Sequence, residues 1–201
     1  MLILKKVAVT GGISSGKSTV CRFLKNHGAY VVSADEVVHQ LLSPDTTIGQ
    51  KIIQLLGTDI VTGDTFDKAK ISKKVFSHPE KLYGLEAILH PAVLQEIETQ
   101  YEQIKQTKKH PLFVAEIPLL YESESETFFD AVIVVVAPVD LSRKRFQEVH
   151  SSSADEFDKR MARQWLPEEK AAKANFVISN DGSLSQLEHK VADLYPILLK
   201  L

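Results

Sequence analysis

The strongest constraint on the fold is a glycine-rich loop near the start of the chain, between a short apolar run and a helical pattern. The apolar run covers residues 4–9, the loop reads GGISSGKST over residues 11–19, and the helical pattern extends to residue 26. The motif G-x-x-x-x-G-K-[ST] is met by Gly11, Gly16, Lys17 and Ser18. This motif binds phosphate groups when a strand precedes it and a helix follows it. We therefore expect a strand, a phosphate loop and a helix in that order.

The residue types in the loop predict that it holds a nucleoside triphosphate. Glycines let the backbone fold closely around a phosphate, and the positive end of the helix dipole adds to the attraction. Lys17 offers a positive charge to the β- and γ-phosphates, Ser18 a hydroxyl ligand to Mg²⁺, and Thr19 a contact to the α-phosphate. The predicted nucleotide-binding segment is Gly12, Ile13, Ser14, Ser15, Gly16, Lys17, Ser18 and Thr19.

Further apolar runs predict a parallel sheet. Apolar residues at consecutive positions are typical of strands that are buried on both faces. The five predicted strands cover residues 4–9, 30–33, 112–115, 131–136 and 176–178. Helical patterns separate them, and such alternation gives a parallel sheet with helices on both faces. The predicted fold class is α/β, a P-loop NTP hydrolase fold with a parallel five-stranded sheet flanked by helices.

Two segments are longer than the connections that this sheet needs. Residues 36–110 carry helical spacing and could form a helical subdomain that covers a substrate, and residues 141–166 contain four arginines, which is typical of a lid. We expect a single domain, with its core at about residues 1–35, 111–140 and 167–201. The three serines at 151–153 predict a mobile tip or turn.

Prolines and one polar pair predict where helices begin and end. Pro91 follows His90, and proline suits the first position of a helix, so a helix start is expected there. Ser183 and Gln186 have the spacing of a capping box for a last helix. Pro196 is expected to end or bend that helix.

Composition limits the classes of partner. The 201 residues include 24 basic and 26 acidic side chains, which gives a formal net charge of −2. The chain therefore lacks the strong positive electrostatic field that would favour binding to nucleic acid. No apolar stretch reaches the roughly 18 residues of a membrane span, and the start MLILKKVAV lacks the pattern of a signal peptide. A single cysteine, Cys21, fits a reducing compartment. We expect a cytoplasmic protein without nucleic-acid or membrane partners; the oligomeric state stays open, with a monomer favoured.

Other motifs narrow the class of nucleotide-binding protein. A GTPase should carry N-K-x-D and an ABC-type ATPase an LSGGQ-like signature, and neither occurs in the sequence. A small kinase is the leading class. Two alternatives stay open: a kinase for another small hydroxylated metabolite, and a catalytically idle module that signals by ATP-dependent closure.

Asp35 follows the second predicted strand directly, at the edge where open α/β sheets bind their ligands. A carboxylate there can take the proton of an acceptor hydroxyl during phosphoryl transfer. It can equally cap the next helix. His39, four residues later, is expected on the same helical face.

Six short motifs, in this order and at these intervals, resemble the dephospho-CoA kinase family. They are GGISSGKSTV, ADEVVH, LEAILHP, IPLLYE, RMARQ and NDGS, and the similarity covers nearly the whole chain. The phosphate loop is shared by a vast superfamily, whereas the combination of the other motifs is specific. The resemblance implies transfer of a phosphoryl group from ATP to the 3′-hydroxyl of the ribose of dephospho-CoA, the last step of coenzyme A synthesis. ATP and dephospho-CoA are the implied substrates, and Mg²⁺ is the implied cofactor.

The resemblance also implies roles for single residues. Asp35 would be the catalytic base, and Lys17 and Arg145 would stabilise the charge of the transferred group. Arg145 and Asn180 would contact ATP, and Ser18 would hold the metal. The implied contacts to dephospho-CoA are Asp35, His39, His90, Glu122 and Arg160, the last in the motif R-x-x-x-Q.

Ordinary structural roles stay open for several of these residues. His39 and His90 could be surface or core histidines, Glu122 a solvated charge in an acidic run, and Asn180 part of a turn. At least one lid arginine is expected on an exposed helix face. Glu116 follows the third predicted strand, where an acid would ligate Mg²⁺ through water, but Glu122 matches the family's acid better.

Three positions depart from the family pattern. Ser14 stands where the family usually has glycine, so the loop must accept a residue with Cβ there. Val149 stands where a second lid arginine is common, and Lys144 or Arg143 could substitute for it. Asn175 replaces an aspartate before the fifth predicted strand.

Overall fold

The computed structural model describes residues 4–150 and 154–201, so the three serines predicted to form a tip lie outside the described residues. The chain divides into two compact units, one formed by Ala34–Gln100 and one by the residues before and after it. The strands of the described residues are β1 Lys5–Gly11, β2 Tyr30–Ser33, β3 Val61–Thr62, β4 Thr65–Phe66, β5 Leu112–Glu116, β6 Ala131–Val136 and β7 Phe176–Ser179. The α-helices of the same residues are α1 Lys17–Asn26, α2 Ala34–Leu41, α3 Thr47–Leu56, α4 Lys68–Ser77, α5 Pro79–Thr107, α6 Val139–His150, α7 Ala154–Met161, α8 Pro167–Lys173 and α9 Leu184–Leu198.

The larger unit contains the predicted parallel sheet. Its strands have the order β2-β5-β1-β6-β7, and each pair is parallel. All five arise from the predicted apolar runs, with ends that agree within one or two residues. The central strand β1 pairs Val7 with Val114 of β5 and with Ala131 of β6. The α/β fold class predicted from the sequence is confirmed, and β1 delivers the glycine-rich loop to the middle of the sheet's carboxyl edge.

Helices α1 and α9 share one apolar core with this sheet. Val20 and Leu24 of α1 are fully buried in the same cluster as Val191 and Leu198 of α9. The predicted capping box begins α9, because the Gln186 N–H donates to Ser183 Oγ at 3.2 Å and the Ser183 N–H donates to Gln186 Oε1 at 2.8 Å.

Pro196 does not end α9, which continues to Leu198. A proline withdraws one N–H from the helix, here the donor to the carbonyl of Ala192. Burial of Leu194 and Leu198 on the core side of the helix offsets that loss.

The unit Ala34–Gln100 has an apolar core of its own, built around the fully buried Ile52 and Ile60. Thr46 caps α3 by accepting from the Gly49 N–H, and Asp67 caps α4 by accepting from two N–H groups. Strands β3 and β4 form a short antiparallel hairpin that the sequence analysis did not predict. Two-residue strands carry too little periodicity to be recognised from sequence.

The predicted helix start at His90 and Pro91 is wrong, because both residues lie inside the 29-residue helix α5. Helix α5 begins at Pro79 instead. Pro91 removes the donor to the carbonyl of Ala87, yet apolar side chains before and after it are buried and hold the helix together. In residues 4–150 and 154–201, no helix has both the length and the apolar character that crossing a membrane requires.

Candidate active site

Two glycines of the phosphate loop are required by its close contacts. Gly11 has φ 147°, and a Cβ there would lie 2.2 Å from the carbonyl oxygen of Val135. Gly16 has φ 102°, and a Cβ there would lie 2.1 Å from Nδ2 of Asn180. The loop therefore closes tightly against β6 and against the residue that follows β7.

Ser14 adopts φ 51°, in the left-handed region that favours glycine. A residue with Cβ adopts this conformation only at a local cost in backbone strain. The N–H of Ser14 is retained, and with it one donor for a phosphate oxygen.

Lys17 is buried at the start of α1, and its ammonium group lies over the loop. Nζ donates to the carbonyl oxygens of Gly12 at 2.8 Å and of Gly11 at 3.2 Å. These contacts hold the positive charge beside the backbone N–H groups of the loop. A phosphate in the loop would meet this charge without a large movement of the side chain.

Ser18 and Glu116 form a pair that suits a magnesium ion. Ser18 Oγ donates to Glu116 Oε1 at 2.8 Å, although 98 residues separate them. The pairing of β1 with β5 sets Glu116 opposite Val9, two residues before the loop. A hydroxyl and a carboxylate are hard oxygen ligands, and Mg²⁺ takes few of these from protein and the rest from phosphate and water. Within the described residues, no group of three or more His, Cys, Asp or Glu side chains could hold a metal ion.

Glu122, the acid predicted to contact substrate, is engaged inside the protein. Its Oε1 lies 2.8 Å from Nζ of the fully buried Lys170 and accepts from the Trp165 N–H at 2.8 Å. Lys170 Nζ also donates to the carbonyl oxygen of Pro118 at 3.0 Å. Burial lowers the pKa of Lys170, and the Glu122 carboxylate opposes that shift. These contacts exclude a solvated charge at Glu122 and give no support to the predicted substrate contact.

The ion pair of Lys170 and Glu122 holds helix α8 next to the phosphate loop. Trp165 lies at the end of the predicted lid segment, and Pro167, the first residue of α8, packs beside Gly12 of the phosphate loop. The ion pair thus fixes α8 to the segment after β5. Lys170 was missed by the sequence analysis, since nothing local distinguishes it from other lysines of a helix.

Asn180 joins the phosphate loop to the lid. Its Nδ2 donates to the carbonyl oxygen of Ser15 at 2.8 Å. Arg145 of α6 donates to the carbonyl oxygen and to Oδ1 of Asn180, both at 3.4 Å. Asn180 is buried, so this is more than a turn residue. Asn180 thus links the guanidinium of Arg145 to Ser15 of the phosphate loop.

Two other lid arginines, Arg143 and Arg160, pair with acids. Arg143 of α6 forms an ion pair with Asp158 of α7 at 2.8 Å, and Arg160 pairs with Glu156 within α7 at 2.6 Å. The Arg143 contact holds the pKa of Asp158 below its ordinary value. Arg143 is therefore not a ready substitute for the arginine replaced by Val149, whose side chain is 75% exposed.

Asp35, His39 and His90 all lie in the unit Ala34–Gln100. Asp35 is exposed in the first turn of α2, one position inside the helix rather than at its cap. His39 is exposed one turn later, with Nδ1 2.8 Å from Nζ of Lys68. His90 is half-buried in α5. Lys68 was not selected from the sequence, because its partner lies 29 residues away.

The sequence matches the family model described as Dephospho-CoA kinase over residues 5–186. The chain belongs to the dephospho-CoA kinase family. A relative named Dephospho-CoA kinase from Protochlamydia amoebophila (strain UWE25) is 50% identical over 196 residues, which cover 97% of each chain. The crystal structure of TT1252 from Thermus thermophilus is similar with a TM-score of 0.82 at 30% identity, covering 97% of this chain and 98% of that one. Dephospho-CoA kinase from Campylobacter jejuni has a TM-score of 0.72 at 27% identity, covering 97% of each chain.

The dephospho-CoA kinase family catalyses the ATP-dependent phosphorylation of dephospho-CoA, the last step of coenzyme A biosynthesis. The resemblance drawn from the six motifs is confirmed, and so is the enzyme class, a phosphotransferase. An ATP-dependent kinase of this family works with a metal ion in general. Family membership weighs against both alternatives left by the sequence, and it assigns no role to any single residue.

Proposed function

We propose that this enzyme transfers the γ-phosphoryl group of ATP to the 3′-hydroxyl of the ribose of dephospho-CoA, giving coenzyme A and ADP. The observation that carries the proposal is the phosphate loop with Lys17 and the Ser18–Glu116 pair, in a chain that matches the Dephospho-CoA kinase family over residues 5–186. Phosphoryl transfer needs positioning and charge stabilisation above all, and this loop offers both.

The triphosphate of ATP binds along the loop from Gly12 to Thr19. Backbone N–H groups donate to the phosphate oxygens, and Lys17 exchanges its contacts with Gly11 and Gly12 for the β- and γ-phosphates. Exchange of neutral carbonyl acceptors for charged oxygens strengthens the hydrogen bonds of the ammonium group.

Ser18 and Glu116 are the residues that would hold Mg²⁺. When bound there, the ion neutralises negative charge on the β- and γ-phosphate oxygens. Ser18 contributes its hydroxyl oxygen, and Glu116 contributes negative charge directly or through a bound water molecule. The proposed acid near Mg²⁺ is therefore Glu116, whereas the sequence comparison with the family had favoured Glu122.

Asp35 is the proposed base for the acceptor hydroxyl. Its carboxylate is exposed at the start of α2, so it can receive the proton of the 3′-hydroxyl. Arg145, held by Asn180, stabilises the charge that spreads over the transferred group. Arg160 and His90 stay proposed contacts to dephospho-CoA.

Three further expectations accompany this function. A cytoplasmic location is proposed from the single cysteine, and ATP and dephospho-CoA are proposed as the partners, with a monomer as the favoured state. Size-exclusion chromatography with light scattering measures the last of these.

Acceptor-dependent ADP release tests the proposed function. The purified protein is incubated with Mg-ATP and, in separate reactions, dephospho-CoA, nucleosides, nucleotides and shikimate. Of the acceptors tested, we expect only dephospho-CoA to stimulate ADP release. Two-dimensional NMR of the product should give phosphorus coupling to the ribose 3′ proton. Faster release with another acceptor, or ADP release that no acceptor stimulates, would contradict the proposal.

A further inference from the structure

His39 and Lys68 form a contact that the proposed mechanism does not use. Nδ1 of His39, in α2, lies 2.8 Å from Nζ of Lys68, in α4, and both helices belong to the unit Ala34–Gln100. Both side chains are exposed, so the contact is not a by-product of core packing.

The chemistry of the two groups decides which one donates. A lysine ammonium group has three donors and no acceptor, so Nδ1 of His39 must be the acceptor. A neutral imidazole carries its proton on one nitrogen only, and the proton of His39 is therefore on Nε2. The contact selects the Nε2–H form of His39 and leaves that N–H directed away from Lys68.

This donor lies one helical turn from the proposed base. His39 is four residues after Asp35 in α2, and residues at this spacing share one face of a helix. A carboxylate that takes a proton and an N–H that donates one are complementary toward a substrate that carries a hydroxyl and phosphate groups.

The backbone that carries Lys68 is fixed at the start of α4. Asp67 accepts from the N–H groups of Ala69 and Lys70 at 3.0 and 3.1 Å. Nζ of Lys70 lies 3.7 Å from the Asp67 carboxylate, so Lys70 forms an ion pair with Asp67, whereas Lys68 contacts His39. Lys68 and Lys70 thus make different contacts from the same helix turn.

We propose that Lys68 is a positioning residue for phosphoryl transfer, and that it acts by holding His39 in the form whose Nε2–H donates to a phosphate oxygen of dephospho-CoA. The proposal rests on the proposed function for the identity of the substrate. His39 touches the substrate, and Lys68 acts through His39.

The tautomer of His39 is the first test. The ring nitrogens of ¹⁵N-labelled protein are observed by NMR at about pH 8. We expect the wild-type protein and Lys68→Arg to have His39 protonated on Nε2, and Lys68→Met to have a mixture of both neutral forms. An unchanged tautomer in Lys68→Met would overturn the proposal, whatever the acceptor specificity of the enzyme.

Kinetics provide the second test. Lys68→Met should raise the KM for dephospho-CoA roughly two- to fivefold, since only the fraction of His39 that carries its proton on Nε2 can then donate to the phosphate. The KM for ATP and the melting temperature should not change. Lys70→Met is the matched control, and its KM for dephospho-CoA should not change.

A double substitution separates positioning from a direct contact. His39→Gln keeps an N–H donor near Nε2, and in that background Lys68→Met should have no further effect on the KM. If Lys68→Met raises the KM equally in both backgrounds, Lys68 contacts the substrate itself and the proposal is wrong. A wild-type protein that turns over another acceptor contradicts the proposed function, while the NMR result still decides whether Lys68 sets the His39 tautomer.

Discussion

Lys170 and Glu122 form a buried ion pair that joins α8 to the segment after β5, with Nζ 2.8 Å from Oε1. Lys170 is fully buried, and Glu122 is 14% exposed. Each partner makes a second hydrogen bond, Lys170 to the Pro118 carbonyl and Glu122 to the Trp165 N–H. A buried charge is tolerated when it is paired and hydrogen-bonded, and Lys170 Nζ and Glu122 Oε1 meet both conditions, whereas Glu122 Oε2 is buried without a hydrogen-bond partner.

We expect Lys170→Met to lower the free energy of unfolding by roughly 3–5 kcal/mol, because it leaves the Glu122 carboxylate without its cation. Urea denaturation measures the change. Lys173→Met is the control: this exposed lysine of the same helix lies over the Trp165 ring, and its loss should cost less than about 1 kcal/mol. Adding Glu122→Gln to Lys170→Met should recover part of the stability. If Lys170→Met and Lys173→Met lower the free energy of unfolding equally, the buried pair of Lys170 and Glu122 does not have the stabilising role given to it.

The same lysine predicts a pH dependence. Burial lowers the pKa of Lys170 below its ordinary value of 10.5, and Glu122 opposes this only in part. Between the lowered pKa of the folded state and the ordinary pKa of the unfolded state, the unfolded chain binds more protons, so the contribution of Lys170 to stability rises with pH. The difference in unfolding free energy between wild type and Lys170→Met should therefore grow as the pH approaches 10.5. If the difference in unfolding free energy shrinks over this range, the pKa of Lys170 in the folded state is raised and the prediction is wrong.

Glu116→Gln should weaken the binding of Mg²⁺. The amide oxygen still accepts from Ser18, but the negative charge is gone, so the Mg²⁺ concentration for half-maximal activity should rise about tenfold or more. Binding of ATP without metal, measured by calorimetry, should not weaken. Glu124→Gln removes a charge from an exposed position in the same segment, and an equal effect of that control would exclude a specific role for Glu116.

Asp35→Asn should lower kcat by about 10²–10⁴, the usual contribution of a general base. The affinity for ATP should stay unchanged, since Asp35 is proposed to act on the acceptor only. Glu36→Gln is the neighbouring control, because it removes an adjacent exposed carboxylate of the same helix turn. Wild-type turnover in Asp35→Asn would remove Asp35 as the base.

Ser14→Gly should stabilise the protein by up to about 1 kcal/mol, since Ser14 has φ 51° and glycine adopts this conformation without a Cβ penalty. Thermal unfolding measures the gain. Ser14→Ala keeps the Cβ and should give none. ATP affinity should be preserved in both variants, because the backbone N–H remains.

The strands and the phosphate loop could be predicted because their signals are local. Parallel strands buried on both faces need continuous apolar runs, and such runs gave β1, β2, β5, β6 and β7 nearly to the residue. The capping box of α9 was likewise predictable from two residues at a fixed spacing. The helix start predicted at Pro91 was wrong, and Pro196 does not end α9, because burial of neighbouring apolar side chains outweighs one lost hydrogen bond.

The sequence by itself determined the fold class, the phosphate loop and the family, since each depends on residue types at fixed short spacings. Only the tertiary structure showed what Glu116 and Glu122 contact. The register of β1 and β5 brings Glu116 to Ser18, and the packing of α8 brings Lys170 to Glu122. Glu116 therefore contacts the hydroxyl of Ser18, whereas Glu122, six residues later, contacts the buried ammonium group of Lys170. The physical reason is that the environment of a charge is set by groups distant in the chain, which sequence spacing does not encode.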